Sequence, residues 1–325
     1  MNCTPTFSFF AKPDFLSFTL HCLLLVEVPV HTFGTFCILY KTPKTMRSVK
    51  WPMLNLHFWT VLLDVSMTGL VTPYMTMPAL AGYTFGLFSY LGLDVVYQVY
   101  FNFSVSFTVG ASIIGLFETR YNLFMGNPTW QRLRRPYHFF NYTFCFTFMI
   151  PQLTFLLPEQ QSAIATFRHY LPCSVSRQAF GLNLSSDLDY LVVVVVVYNC
   201  HLFIIGVYFG FALHLHFAKL NLCSKLTMSL QSRLQVAMII QISVPVAVLV
   251  MPVGYGVFSV LTGYHNQELN NLGVIFASLH GMVSTLAMIF IHHPYRLAVV
   301  QFIPELDKYL RTTQNHRDRA GSVLY

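Results

Sequence analysis

The chain has 325 residues, 55% of them hydrophobic and only 10% charged, with a mean hydropathy of +0.55. Soluble domains carry about 25% charged residues, so a water-facing globular surface is excluded. The formal net charge of +7 does not point to nucleic acid, because the basic residues sit in short connections between apolar runs, where they serve as membrane-surface anchors.

Seven stretches with few or no charges follow one another at residues 15–40, 51–71, 95–117, 137–157, 190–213, 236–261 and 272–291. Each is long enough to cross roughly 30 Å of hydrocarbon as a helix. This predicts an all-α fold, a seven-transmembrane bundle over 15–291 with an N-terminal tail over 1–14 and a C-terminal tail over 292–325. Membrane lipid is then its first partner. The first stretch is too long for the apolar region of a signal peptide and has no basic segment before it, so it is read as a retained helix.

Residues 73–93 are also uncharged, but they hold Pro73, Pro78, Gly82, Gly86 and Gly92 and make a poor continuous helix. An extra crossing there would put the basic segments 41–50 and 120–135 on opposite sides. We read 73–93 as an apolar outer loop folded over the bundle.

Orientation comes from the cations. One face takes Lys41, Lys44, Arg47 and Lys50, then Arg120, Arg132, Arg134 and Arg135, then Lys219, Lys225 and Arg233, and finally Arg296, Lys308 and Arg311. The other takes only Lys12, Arg168 and Arg177. The bias places the basic face and the C-terminus in the cytoplasm and the N-terminus outside. After residue 291, apolar positions at 297, 300, 303, 306 and 310 suit an amphipathic helix on the inner leaflet, interrupted or restarted at Pro304.

Outside, the sequons at Asn2 and Asn183 are candidates for glycosylation. Cys3 and Cys173 are the two cysteines placed there. One reading is a bridge tying the tail to the second outer loop; the other is two independent thiols. The cysteines form no CxxC pair, the histidines no HExxH pair, and neither a P-loop nor a GxSxG appears. We expect no catalytic residues, no metal, no cofactor and no enzyme activity.

Asp64 and Glu27 lie well inside spans, where an ionised carboxylate costs several kcal/mol unless it faces the bundle with a partner. Each is either a polar switch linking helices or a protonated carboxyl satisfied by a neighbour. Asp94, Gln98 and Asn102 recur every four residues and share one helix face. That face either lines a ligand site or makes interhelical hydrogen bonds. Asn199, His201 and Gln241 are isolated polar residues, which serve either as packing groups or as ligand contacts.

At this point the residues carry a family likeness. The chain holds Lys41-Thr42-Pro43 with Met46 and Ser48-Val49-Lys50, Asp64, and Leu116-Phe117-Glu118-Thr119-Arg120-Tyr121. Further on come Pro158-Glu159-Gln160, Gln241 with Pro245, His280-Gly281, and His293-Pro294-Tyr295-Arg296. In this order and spacing it resembles the nematode serpentine receptors of class H, chemosensory proteins of G-protein-coupled-receptor architecture. The resemblance implies a receptor in the plasma membrane of sensory neurons that binds a small-molecule ligand and signals through a heterotrimeric G protein. It assigns coupling and activation to Glu118, Arg120, Tyr121, Pro294, Tyr295 and Arg296. Against rhodopsin-like receptors, Glu118-x-Arg120-Tyr121 looks like their acid-Arg-Tyr motif with one residue inserted, and Pro294-Tyr295-Arg296 replaces their last-span motif. The alternative function, a transporter or ligand-gated channel, calls for matching halves with paired broken helices, which the sequence does not display. An intramembrane enzyme would need paired catalytic groups in a recognisable signature, and Asp64 and Glu27 sit in none.

Overall fold

Pro13 stands at the start of the first helix, where its missing N–H costs nothing, and α1 runs Pro13–Tyr40 in the computed structural model. The structure describes residues 8–79, 81–148, 150, 179–181, 188–219 and 225–302. Asn2, Cys3, Cys173 and Asn183 lie outside the described residues, so the sequon and disulfide readings do too. So do Arg168, Arg177, the tail beyond residue 302 and the side chain of Asn199.

After Lys41 and Pro43 the chain turns into α2, Arg47–Val65, and Lys50 Nζ donates to Leu39 O at 2.8 Å, which ties the two helices at the basic end. α2 continues into a π-helical turn over Ser66–Leu70. Residues 73–93 then form no crossing helix. Pro73–Thr76 (β1) pairs antiparallel with Ala81–Thr84 (β2), Tyr74 opposite Tyr83, and Phe180–Gly181 (β3) adds to the far edge of β2. The short α3, Leu87–Tyr90, completes the segment.

α4, Val95–Met125, ends at Gly126, whose left-handed φ of +56 closes the helix. Asn127 then accepts from the backbone N–H groups of Thr129 and Trp130, Pro128 takes the first position, and α5 runs Pro128–Thr147. This corrects the reading of 120–135 as a basic loop. Arg132, Arg134 and Arg135 stand on the opening turns of α5, because the Asn-Pro cap starts the helix before the apolar stretch begins.

The remaining helices are α6 (Leu188–Lys219), α7 (Lys225–Thr262), α8 (Gln267–Ser278), α9 (His280–Ile291) and α10 (His293–Phe302). α8 and α9 make one apolar stretch with an irregular joint at Leu279. Among the described residues, Pro13–Tyr40, Val95–Met125, Gln235–Thr262 and Gln267–Ile291 are long and apolar enough to cross a membrane, and Cys200–His216 is a shorter apolar helix.

Packing runs in two blocks. α2 lies along α4, α1 along α2 and α9, and α9 along α7, around a core that includes Leu16, Met53, Leu63, Leu116 and Met288. α4 also carries α5 and α6 on an aromatic cluster of Phe107, Tyr121, Phe148, Tyr198 and Phe209. At the opposite end from the basic residues the hairpin is stitched to its neighbours. Tyr74 OH donates to Ala11 O (3.1 Å), Asn271 Nδ2 to Phe10 O (2.8 Å) and Gln267 Nε2 to Met75 O (3.0 Å). Burial against the N-terminal turn raises the Tyr74 phenol well above its ordinary range. The loop folds over the bundle as a structured cap.

Candidate functional site

Asp64 is fully buried where α1, α2 and α9 meet. Its Oδ2 lies 3.1 Å from His31 Nε2, and its Oδ1 lies 3.3 Å from His280 Nδ1 and 3.1 Å from the Gly281 N–H. A Cβ on residue 281 would fall inside that carboxylate, so only glycine allows α9 to approach.

The hydrogen-bond network places a proton here. Thr285 donates its hydroxyl to Gly281 O at 2.9 Å, so its oxygen can only accept from His31 Nδ1, 3.0 Å away. His31 Nδ1 therefore carries a hydrogen. Without a second hydrogen between His31 Nε2 and Asp64 Oδ2, two acceptors would face each other. The pair holds that proton as imidazolium and carboxylate or as imidazole and carboxylic acid. Either form is neutral overall, as a membrane interior requires.

Glu27 and His57 flank this centre. Thr68 donates to Asp64 O at 2.7 Å and lies 3.1 Å from Glu27 Oε2, while Glu27 Oε1 is buried without a partner among the described residues. The one Thr68 hydroxyl proton is offered to the Asp64 carbonyl and to the Glu27 carboxyl alike. His57 Nε2 lies 3.1 Å from both His31 O and Thr35 Oγ1.

A second carboxylate cluster sits at the basic end. Glu118 is buried, and Oε1 accepts from Trp130 Nε1 (2.8 Å) and Arg134 Nε (3.0 Å). Its Oε2 lies 3.0 Å from Arg134 Nη2 and 3.0 Å from His138 Nε2. The guanidinium grips the carboxylate with two parallel bonds. Trp130, Arg134 and His138 are spaced by four along α5 and so present one face to Glu118. Arg120, two residues on from Glu118, is also buried and stands over the Phe124 ring at 5.1 Å. Tyr121 points to α6, its hydroxyl 3.4 Å from that of Tyr208 and its ring packed on Phe209.

Pro294, Tyr295 and Arg296 open α10. Tyr295 is buried and donates to Thr42 Oγ1 at 2.7 Å, since the Thr42 hydroxyl is committed to Ile38 O. Burial pushes the Tyr295 phenol up to about 12. Arg296 is exposed. His292 reaches Gln241 Oε1 on α7 at 3.0 Å, and burial pushes its imidazole down to about 4, so it is neutral and donates at neutral pH.

The polar face of α4 is committed to the protein. Asp94 caps α4 by accepting from Val96 N, and Gln98 donates to Leu93 O at 2.7 Å and to Ser89 Oγ. Asn102 accepts from Ser66 Oγ at 2.9 Å and donates to Met67 Sδ at 3.2 Å. Of these contacts, those of Asn102 join α4 to the Ser66–Leu70 turn, and those of Asp94 and Gln98 are local to the start of α4. Of the residues that complete both clusters, Arg134 was read only as a cation of the basic face, and His31, His57, Thr285, Trp130 and His138 were not singled out in the sequence.

Comparison with known proteins agrees in kind. Residues 11–305 match the family model described as the serpentine type 7TM GPCR chemoreceptor Srh. The chain is also 27% identical to Serpentine receptor class H-72 of Caenorhabditis elegans, over 92% of this chain and 88% of that protein.

Proposed function

Since the chain belongs to the serpentine seven-transmembrane chemoreceptors of the Srh type, a class of receptors and not enzymes, we propose that it binds a small-molecule cue and activates a heterotrimeric G protein. The basic end is its cytoplasmic face, and its site of action is the plasma membrane of sensory neurons. The observation that carries this reading is the knot at that end, where the buried Glu118 ties α4 to α5 beside the buried Arg120. A ligand shifts such an equilibrium only by binding one arrangement of the helices better than the other. The knot is the contact such a shift would break.

Two experiments test the reading. Tags at the N-terminus are expected to be accessible on intact cells, and tags at the C-terminus or within Arg132–Arg135 only after permeabilisation. Labelling of the Arg132 segment on intact cells would reverse the orientation. For coupling, Arg120→Lys and Arg120→Ala are expected to reach the surface and to lose most ligand-evoked G-protein activation at matched surface level. Lysine lacks the planar fork of donors. Full activity in both variants would leave Arg120 as a packing group only.

A further inference from the structure

Between α1 and α2 a lateral groove of about 460 Å³ opens on the outside of the bundle. That is within the range of small-molecule pockets, roughly 300–1,000 Å³. Its walls include Trp51, Leu54, Phe58 and Val61, with Trp51 68% and Phe58 56% exposed. In a bilayer these side chains meet lipid. Its floor is polar, formed by Asn55 and His57.

The hydrogen bonds fix which atoms of the floor remain to be satisfied. Ser112 donates to Thr108 O at 2.8 Å, so it accepts from Asn55, and the Asn55 amide nitrogen must face Ser112 and Tyr142. Its carbonyl oxygen then points away and has no partner among the described residues. Thr35 donates to His31 O at 2.9 Å, so both of those oxygens act as acceptors for His57 Nε2, which carries the hydrogen. His57 Nδ1 is then a bare acceptor, also without a partner among the described residues. Two acceptors beneath an apolar opening want a donor, and lipid chains supply none.

We propose that this groove is a binding site for a membrane-dissolved alcohol, an apolar body whose hydroxyl donates to the Asn55–His57 floor. A neutral hydroxyl suits the site better than an ammonium, because a cation in hydrocarbon costs more than the hydrogen bonds return. Through His57 the occupant touches His31, the partner of Asp64, so filling the groove bears on the buried junction of α1, α2 and α9. The site does not depend on the signalling proposed above and is testable by binding alone.

The experiment uses the full-length receptor in phosphatidylcholine nanodiscs with two photoactivatable probes, a diazirine-bearing hexadecanol and a diazirine-bearing sterol. Crosslinks are mapped by mass spectrometry. Each probe is competed by its parent alcohol and by the methyl ether of that alcohol, which keeps the body and removes the donor. The expected result is labelling concentrated on the segments around Thr35–Leu39 and Trp51–Val61, with the alcohol competing about tenfold better than the ether. The probe that labels tells a straight-chain from a ring-fused source. Val61→Trp, which fills the groove and leaves the polar floor in place, should abolish labelling. His57→Phe should narrow the preference for alcohol over ether, and His57→Phe combined with Asn55→Leu should bring the two to parity. Equal competition by alcohol and ether in the unaltered receptor, or labelling spread evenly over the lipid-facing helices, would overturn the proposal.

Discussion

An Asp64→Ala receptor is expected to lose most of its folded, surface-delivered population, whereas Asp64→Asn should be made at close to the parental level. Alanine leaves the Gly281 N–H, His280 Nδ1 and the shared proton of His31 facing an empty, water-free space. Removing one member of a buried, hydrogen-bonded charged group costs about 3–5 kcal/mol. That is a large part of the total stability of a domain, about 5–15 kcal/mol. Asparagine can keep every bond. Its Nδ2–H donates to the bare Nε2 of a neutral His31, and its Oδ1 accepts from the Gly281 N–H, so the change should stay within about 1 kcal/mol. Gly281→Ala should be as damaging as Asp64→Ala, because its methyl group displaces the carboxylate. Thermal unfolding of the purified variants together with surface labelling measures the order. An Asp64→Asn protein as unstable as Asp64→Ala would contradict the placement of the shared proton.

Glu118→Gln is expected to raise ligand-free G-protein activation by about tenfold. The variant keeps the shape of the side chain but offers an NH2 group where Arg134 or His138 needs an acceptor. Hydrogen bonds to a charged group contribute about 1.5–3 kcal/mol. Arg134 is 33% exposed, and solvent screening holds the figure to the lower end of that range. If the knot exists only in the inactive arrangement, that loss appears directly as a larger active fraction. Arg134→Ala should raise basal activity by a similar factor, and the double variant should add little, because both remove the same contact. Unchanged basal activity in Glu118→Gln at matched surface level would mean that the knot holds the helices equally in both states.

The spans were legible because lipid demands long uninterrupted apolar runs, and residues 73–93 were legible as a non-helix because two prolines and three glycines cannot continue one. The start of α5 was misread. Charge placed Arg132 to Arg135 in a loop, although Asn127-Pro128 is a helix-start signal that could have outweighed it. The four-residue spacing of Trp130, Arg134 and His138 was equally open to inspection, but nothing local showed that Glu118 lay opposite. Asp64 was legible as a residue needing company, but its company was not. His31, Asp64 and His280 are spread over most of the chain, and no spacing rule links them. Their meeting is a property of how α1, α2 and α9 pack. On α4 the common face of Gln98 and Asn102 was readable, but its occupants, Ser89, Leu93, Ser66 and Met67, come from the α3 region and from a π-helical turn that no local propensity announces.

The cap over the bundle has a consequence for how such a receptor can change over generations. Its stitches end on main-chain carbonyls: those of Phe10, Ala11 and Met75, and that of Met77, which His265 Nδ1 reaches at 2.6 Å. A carbonyl is present whatever side chain the residue bears. The hydrogen bonds of the closure therefore survive a change of side chain at the acceptor positions, provided that Tyr74, His265, Gln267 and Asn271 remain to donate. Substitution can remodel the exposed chemistry of this end while its architecture stays the same, so closely built members of the family can differ in what this face presents.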